Sequence, residues 1–368
     1  MRLASKIFVL TIFFAGIMAG VFYFRNSTPP ANDWMNEQIE KDFAPFAEAK
    51  LSRKQVRQIA EDPANDDHLF VHYSIKNNKV SLFHRLAPDH PLGQEHLFPR
   101  MNAITNALKQ IVKKYPLPDI EFIVSLHDAF YKSFEIPVFV MAKTLQMENQ
   151  ILFPDFQALR GEYQVLKGQD ITKDSAIPSW DGRKGQLVWR GGPSQHPPLG
   201  FPVSLDPNEP HCLSRIKLCA LSQRNPQLID ARFSYLGASW PTLEPFLGNF
   251  IPFEEQMTYK YHAQIDGYSC SYTSSGWKFF TGSLVFKEDS HHIQWYYNAL
   301  KPYVHYIPVK EGLGDLLEKL EWARLHDAEA RQIAQQGREF ALSHITQGQN
   351  RLYYYHALLA YSRLNWTD

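Results

Sequence analysis

Residues 259–310 read YKYHAQIDGYSCSYTSSGWKFFTGSLVFKEDSHHIQWYYNALKPYVHYIPVK, and the order of apolar and polar stretches in them decides the fold class. Two short runs rich in aromatic and aliphatic residues, 259–265 and 303–309, have the length of buried strands. The region 276–284 continues the alternation of helix-like and strand-like runs between them. A dense hydroxyl-bearing segment, Ser269-Cys270-Ser271-Tyr272-Thr273-Ser274-Ser275-Gly276-Trp277-Lys278, joins the apolar stretches. Alternation of this kind builds an open α/β sheet, and ligands of such sheets collect beyond the strand ends.

The same alternation extends outward. Downstream, Leu316, Leu317, Leu320 and Ala323, then Ile333, Ala334 and Phe340, lie at helical spacing. A last helix is expected over 346–368, packing back on the N-terminal part. Upstream, residues 221–230 continue the alternation, and 186–189 form one short strand among the loops of 168–194. The proline-rich stretch 193–210 is the expected crossing between two lobes. Residues 102–115 (NAITNALKQIVKKY) have helical spacing, Pro116-Leu117-Pro118 stops them, and a strand-like run at 120–126 follows. His127-Asp128 ends that strand, and Pro137-Val138-Phe139-Val140 gives another. Residues 69–82 suggest a hairpin around Lys76-Asn77-Asn78. The expected organisation is a stem and helical lead-in at 26–60, an N-terminal α/β lobe at 61–205 and a second α/β lobe at 206–345, facing one cleft.

Residues 7–24 (IFVLTIFFAGIMAGVFYF) form an uncharged run of bilayer-spanning length, so a single N-terminal transmembrane helix is expected within 1–25. Arg2 and Lys6 before the run favour a cytoplasmic N-terminus. A cleaved signal peptide is the alternative, although the run ends in Val21-Phe22-Tyr23-Phe24-Arg25 rather than at a small-residue cleavage site. Equal numbers of basic and acidic residues, 38 each, give no net field to gather a polyanion, which argues against a nucleic-acid partner. Cys212, Cys219 and Cys270 permit at most one bridge, Cys212 to Cys219; buried free thiols fit the sequence equally well. No Cys/His spacing has the pattern of a zinc site.

Three constellations carry possible chemistry. Arg190 and Gly191 follow the short strand, where a guanidinium and close backbone approach suit a diphosphate. In the hydroxyl-rich segment, Ser269, Ser271, Thr273, Ser274 and Ser275 offer donors to phosphate at a helix start, with Lys278 adding charge. Asp128, beside His127 at a strand end, stands where a general base belongs. Missing signatures narrow the field. There is no Asp-x-Asp triplet to hold a metal and diphosphate, no Walker pattern, no Gly-x-Ser-x-Gly elbow and no His-Glu-x-x-His. His305, Trp277, Trp295 and Tyr296 each have an ordinary packing role as the alternative to a site role. Packing is the expectation for His305 and Trp295.

Gly282-Ser283-Leu284-Val285-Phe286, then Trp295-Tyr296-Tyr297, then Leu300-Lys301-Pro302-Tyr303-Val304-His305-Tyr306-Ile307-Pro308-Val309-Lys310 resemble the C-terminal signature of glycosyltransferase family 90. That family includes capsule-associated, lipopolysaccharide-modifying and protein O-glucosylating enzymes. Upstream pieces agree in order, among them His127-Asp128, Ile136-Pro137-Val138-Phe139, Trp189-Arg190-Gly191, Arg224-Asn225-Pro226 and Asp266-Gly267, so the resemblance spans roughly residues 95–345.

The resemblance implies a GT-B-like fold, two Rossmann-like lobes facing a cleft, and inverting transfer from a UDP-sugar donor with no metal or other cofactor. It places Asp128 at the catalytic base, Arg190 at the diphosphate-binding arginine and the Ser269–Ser274 segment at the nucleotide-binding loop. Many relatives carry an Arg at the end of that loop, where this chain has Ser274; Lys278 or another cation would then neutralise phosphate. The expected acceptor is a hydroxyl of a glycan, a lipid-linked saccharide or a protein. The expected setting is a membrane, with the catalytic part lumenal in a Golgi-like compartment or at a bacterial inner membrane. An inactive relative that binds carbohydrate or acts as a scaffold is the main rival reading. A glycoside hydrolase ranks last, for want of an evident carboxylate pair.

Overall fold

The computed structural model describes residues 29–128, 132–194, 204–209, 211–236 and 240–367. The apolar run 7–24, and with it the expected membrane anchor, lies outside them. No helix among the described residues is long and apolar enough to cross a membrane.

Two five-stranded sheets organise the chain. The first contains β1 (Phe70–Lys76), β2 (Lys79–His84), β3 (Ile120–Ser125), β4 (Val138–Val140) and β5 (Gln150–Leu152), in the order β2-β1-β3-β4-β5. β1 is antiparallel to both neighbours, whereas β3, β4 and β5 run parallel. The β1–β2 hairpin turns at Asn77 and Asn78, whose φ angles of 49° and 58° lie in the left-handed region that Asn tolerates. Helix α1 (Asp33–Phe43) and α2 (Phe98–Lys114) pack on this sheet, and the short α3 (Phe156–Arg160) packs on α2.

The second sheet is wholly parallel: β6 (Lys184–Gly191), β7 (Ile229–Phe233), β8 (Tyr259–Gln264), β9 (Leu284–Glu288) and β10 (Ile307–Val309), in the order β7-β6-β8-β9-β10. Leu187, Ala231, Ala263, Leu284, Phe286 and Ile307 are fully buried, as strands covered by helices require. Helices α4 (Ser214–Arg224), α5 (Tyr272–Phe280), α6 (Leu316–Leu325) and α7 (Asp327–His344) belong to this half. The hydroxyl-rich segment that reads as a loop is therefore mostly helix, because α5 begins at Tyr272.

The last helix, α8 (Gln347–Ser362), sits in the core of the first half. Its Tyr354 ring lies 5.0 Å from Phe153 and 6.0 Å from Phe139, and the Tyr361 hydroxyl donates to Glu121 O at 2.7 Å. Beyond it, Trp366–Thr367 pairs in parallel with Leu51–Ser52. The chain thus returns from the second half to close the first.

Lys143 Nζ donates to Asp42 Oδ1 at 2.7 Å, and Leu152 N donates to Asp42 Oδ2 at 2.9 Å. This buried, hydrogen-bonded pair fixes α1 against β5. A polar pairing also links the halves, for Lys143–Thr144 forms a two-residue antiparallel ladder with His292–Ile293. All three cysteines are buried and free, which decides against the Cys212–Cys219 bridge.

Candidate active site

The cleft lies where the strands of both sheets end. Asp128 follows β3 by three residues, and its carboxylate, 42% exposed, accepts from Arg100 Nη2 at 2.8 Å. Arg100 projects from α2, gives Nη1 to Leu126 O at 2.8 Å and stands 5.1 Å over the Phe156 ring. Asp155 caps α3 by accepting from Gln157 N and Ala158 N, which fixes Phe156 beneath Arg100 and sets Gln157 on the cleft wall. The Asp128 carboxylate is thereby held by a guanidinium that is itself anchored twice.

The second half supplies the facing wall. Arg215, in the first turn of α4, gives Nε to Asp266 O at 2.9 Å, Nη1 to Gly192 O at 3.0 Å and Nη2 to Ile265 O at 3.3 Å. Its guanidinium lies 5.6 Å from the Trp189 ring. Carbonyls beyond the ends of β6 and β8 thus aim one cation at the gap between two parallel strands, where anionic ligands of such sheets sit. Burial lowers the Arg215 pKa and Asp266 partly offsets this. A side chain at Gly267 would meet Arg215 Nη2 at 2.8 Å, so a larger residue there would push the guanidinium from its place.

Tyr272 connects the walls. Its hydroxyl donates to the backbone carbonyl of Asp128 and accepts from Ser269 Oγ at 3.1 Å. Burial, with Asp128 adding negative charge, pushes that hydroxyl well above the usual tyrosine range, so it stays a donor. Its φ of 33° is an uncommon left-handed value for a bulky residue, at the point where the loop turns into α5. The cleft so formed, about 380 Å³, is lined by Asp128 and Gln157 on one side and by Ser194, Arg215 and parts of the 267–274 segment on the other.

A model of glycosyl transferase family 90 matches residues 32–368. The chain belongs to glycosyl transferase family 90. The match includes α1, α8 and the closing strand, so the family unit is longer than the 95–345 span that the sequence motifs mark. The chain is 28% identical to protein O-glucosyltransferase 3 of Homo sapiens over 339 residues, 88% of this chain and 61% of that protein. It is 29% identical to protein O-glucosyltransferase 2 of Danio rerio over 356 residues, covering 92% and 63%. With protein O-glucosyltransferase 1 of Rattus norvegicus it shares 26% identity over 346 residues, covering 88% and 79%. The chain spans less than two thirds of the first two of these relatives.

In this family 90 chain the sequence-predicted residues separate into two groups. Asp128, Ser269, Ser271 and Ser274 line the cleft. Ser271 Oγ donates to Ile265 O at 2.6 Å, fixing the start of α5. Thr273 lies in the same helical turn. Arg190 does not line the cleft. Its Nη2 pairs with Asp230 Oδ1 at 2.8 Å, its Nε donates to Asn249 O at 3.0 Å, and only 8% of its side chain is exposed. It locks β6 to β7, and Tyr259 reinforces the lock through Asp230 Oδ2 at 2.8 Å. Gly191 is a packing glycine, since a Cβ there would lie 2.6 Å from the Trp189 ring.

Ser275 is fully buried behind the cleft wall, and Lys278 is 3% exposed. The direct phosphate contact expected of Lys278 is therefore corrected: its Nζ donates inward to Ala263 O at 2.7 Å and to Ser274 Oγ at 3.1 Å. Trp277 and Trp295 are core residues, 1% and 0% exposed. His305 accepts from Lys301 N at 3.1 Å and packs on Phe340, in keeping with its packing reading. His127 turns Nε2 to Asp67 O at 2.6 Å, away from any role beside Asp128.

Arg215, like Gln157, is a cleft residue that motif reading missed. No glycine pattern marks it, and the signal was only a cation in the first turn of a helix after the proline-rich stretch 193–210, which is not the expected crossing between lobes, because β6 before it already belongs to the second sheet.

Proposed function

We propose that this chain transfers a glucose- or xylose-type sugar from a UDP-sugar to an acceptor hydroxyl, with inversion and without a metal, across a GT-B-like cleft between two lobes. The observation that carries the reading is that Asp128 and Arg215 line one cleft from opposite halves of the chain. In the step envisaged, Asp128 takes the acceptor proton as its oxygen bonds to C1 of the sugar, and the bond from C1 to the diphosphate oxygen breaks. Arg215 and the backbone N–H groups at the start of α5 take up the negative charge of the departing UDP. The absence of an Asp-x-Asp triplet supports charge neutralisation by these groups rather than by a metal. A protein hydroxyl is the favoured acceptor, because the relatives quoted above are named protein O-glucosyltransferases. The run 7–24 would tether this activity to a membrane.

Incubation with a panel of UDP-sugars, reading UDP release, tests the proposal. Asp128→Asn should lower release about 10²- to 10⁴-fold while donor binding persists. Equal release from both proteins removes Asp128 as base. Donor binding without turnover in the wild type favours the inactive, carbohydrate-binding alternative, whose foothold is Ser274 in place of an arginine.

A further inference from the structure

We infer that Lys278 is a positioning residue that acts on the donor diphosphate through the hydroxyl of Ser274 rather than by contact. The inference deepens the proposed function and rests on its UDP-sugar donor. Lys278 and Ser274 are one turn apart on α5, with Lys278 inside and Ser274 on the cleft wall beside Arg215. The two hydrogen bonds of Lys278 Nζ go to neutral oxygens, Ala263 O and Ser274 Oγ. An ammonium donates only, so Ser274 Oγ is the acceptor in this pair and its own proton is directed to another partner. A hydroxyl polarised by a buried charge is a stronger donor than an ordinary serine. The occupant this suits is an anion in the cleft that Arg215 already faces.

The charged groups that act on the lysine are Arg215 and Asp266. Burial drives its pKa down to about 7, Arg215 on α4 lowers it further, and Asp266, after β8, partly offsets both. His262 on β8 is held neutral by burial, its pKa lowered to about 3. Arg183 and Arg338 bind the Thr281 and Phe280 carbonyls at the far end of α5, and Asp155 lies at the α3 side near Tyr272. An anion bound at Ser274 would favour the charged lysine, so donor affinity should be greatest when Lys278 is protonated and should fall as pH rises through about 7.

The test is calorimetric titration of the full chain with UDP-glucose from about pH 6 to about pH 8.5. Each phosphorus of its diphosphate carries one ester, one anhydride and a single strongly acidic hydroxyl, ionised throughout that range, so the ligand contributes no slope of its own. Wild type should lose about tenfold in affinity across the window, equivalent to a bound-state pKa about one unit higher. Lys278→Met should bind more weakly at low pH and show a flat profile; Ser274→Ala should flatten the profile with Lys278 in place. A wild-type slope in Lys278→Met overturns the inference. If Lys278→Met does not fold, Ser274→Ala decides: a retained slope overturns it and a flattened one supports it. Absence of UDP-glucose binding by wild type at every pH instead defeats the donor reading on which the inference stands.

Discussion

The hydroxyl of Tyr272, on α5, donates to the backbone carbonyl of Asp128, beyond β3, and so joins the two walls of the cleft directly above the candidate base. Tyr272→Phe keeps the ring and the left-handed backbone but removes that donor, and it leaves Ser269 Oγ without its acceptor. One lost hydrogen bond of this kind is worth about 1 kcal/mol, so kcat should fall several-fold to about tenfold with little change in donor KM. Steady-state kinetics check this. An unchanged kcat would show that the bond does not position Asp128.

Packing between the halves is equally specific at Gly276. A Cβ there would lie 2.1 Å from the Tyr163 ring, and Tyr163 is fully enclosed, its hydroxyl bonded to Asp155. Gly276→Ala should therefore destabilise the protein by about 1–3 kcal/mol despite the better helix propensity of alanine. Thermal melting tests this, and a Tm at or above that of the wild type would refute the close packing.

Glu288, at the end of β9, gives a pH-dependent prediction. Burial raises its pKa from 4.5 to about 7, while Ser214 and Gly312 N donate to it and oppose the shift. The folded chain holds this proton up to about 7, whereas the unfolded chain releases it near 4.5. Protonated Glu288 therefore favours the fold, and that contribution is lost as pH rises from about 4.5 through about 7. Glu288→Gln keeps an acceptor oxygen and cannot ionise. Its stability relative to wild type should climb across that window, by up to about 3 kcal/mol. A difference between the two Tm values that stays constant with pH would contradict this.

What the sequence made legible, and what it did not, follows from the range of each interaction. The hairpin at Asn77-Asn78 and the helix stop before Pro116 are set by residues adjacent in the chain, so pattern reading reaches them. Asp128 was legible because the strand before it is a plain apolar run. Arg190 misled because its partners, Asp230 and Asn249, are 40 and 59 residues away and turn its guanidinium along the sheet instead of into the cleft. Lys278 misled for a related reason: helical spacing decides which face a residue takes, and the segment reads as loop until α5 is seen to begin at Tyr272. Arg215 stayed hidden because its position depends on carbonyls of Gly192, Ile265 and Asp266, which meet only when two parallel strands lie side by side.

Arg215 and Arg190 therefore make the sharpest paired test, since one is assigned to the donor and the other to the sheet. Arg215→Lys keeps a positive charge but cannot reproduce a planar fork holding three carbonyls, and it forfeits the stacking on Trp189. Donor affinity should fall about 10- to 100-fold, the loss of charge-assisted bonds worth about 1.5–3 kcal/mol, with a modest effect on melting. Arg190→Lys should do the opposite. It breaks the pairing with Asp230 and the bond to Asn249 O, which lowers Tm while leaving UDP-glucose affinity near that of the wild type. Measuring both quantities for both variants separates a binding role from a framework role. Weaker donor binding in Arg190→Lys than in Arg215→Lys, at matched stability, would return the diphosphate to the arginine that the sequence motif favoured.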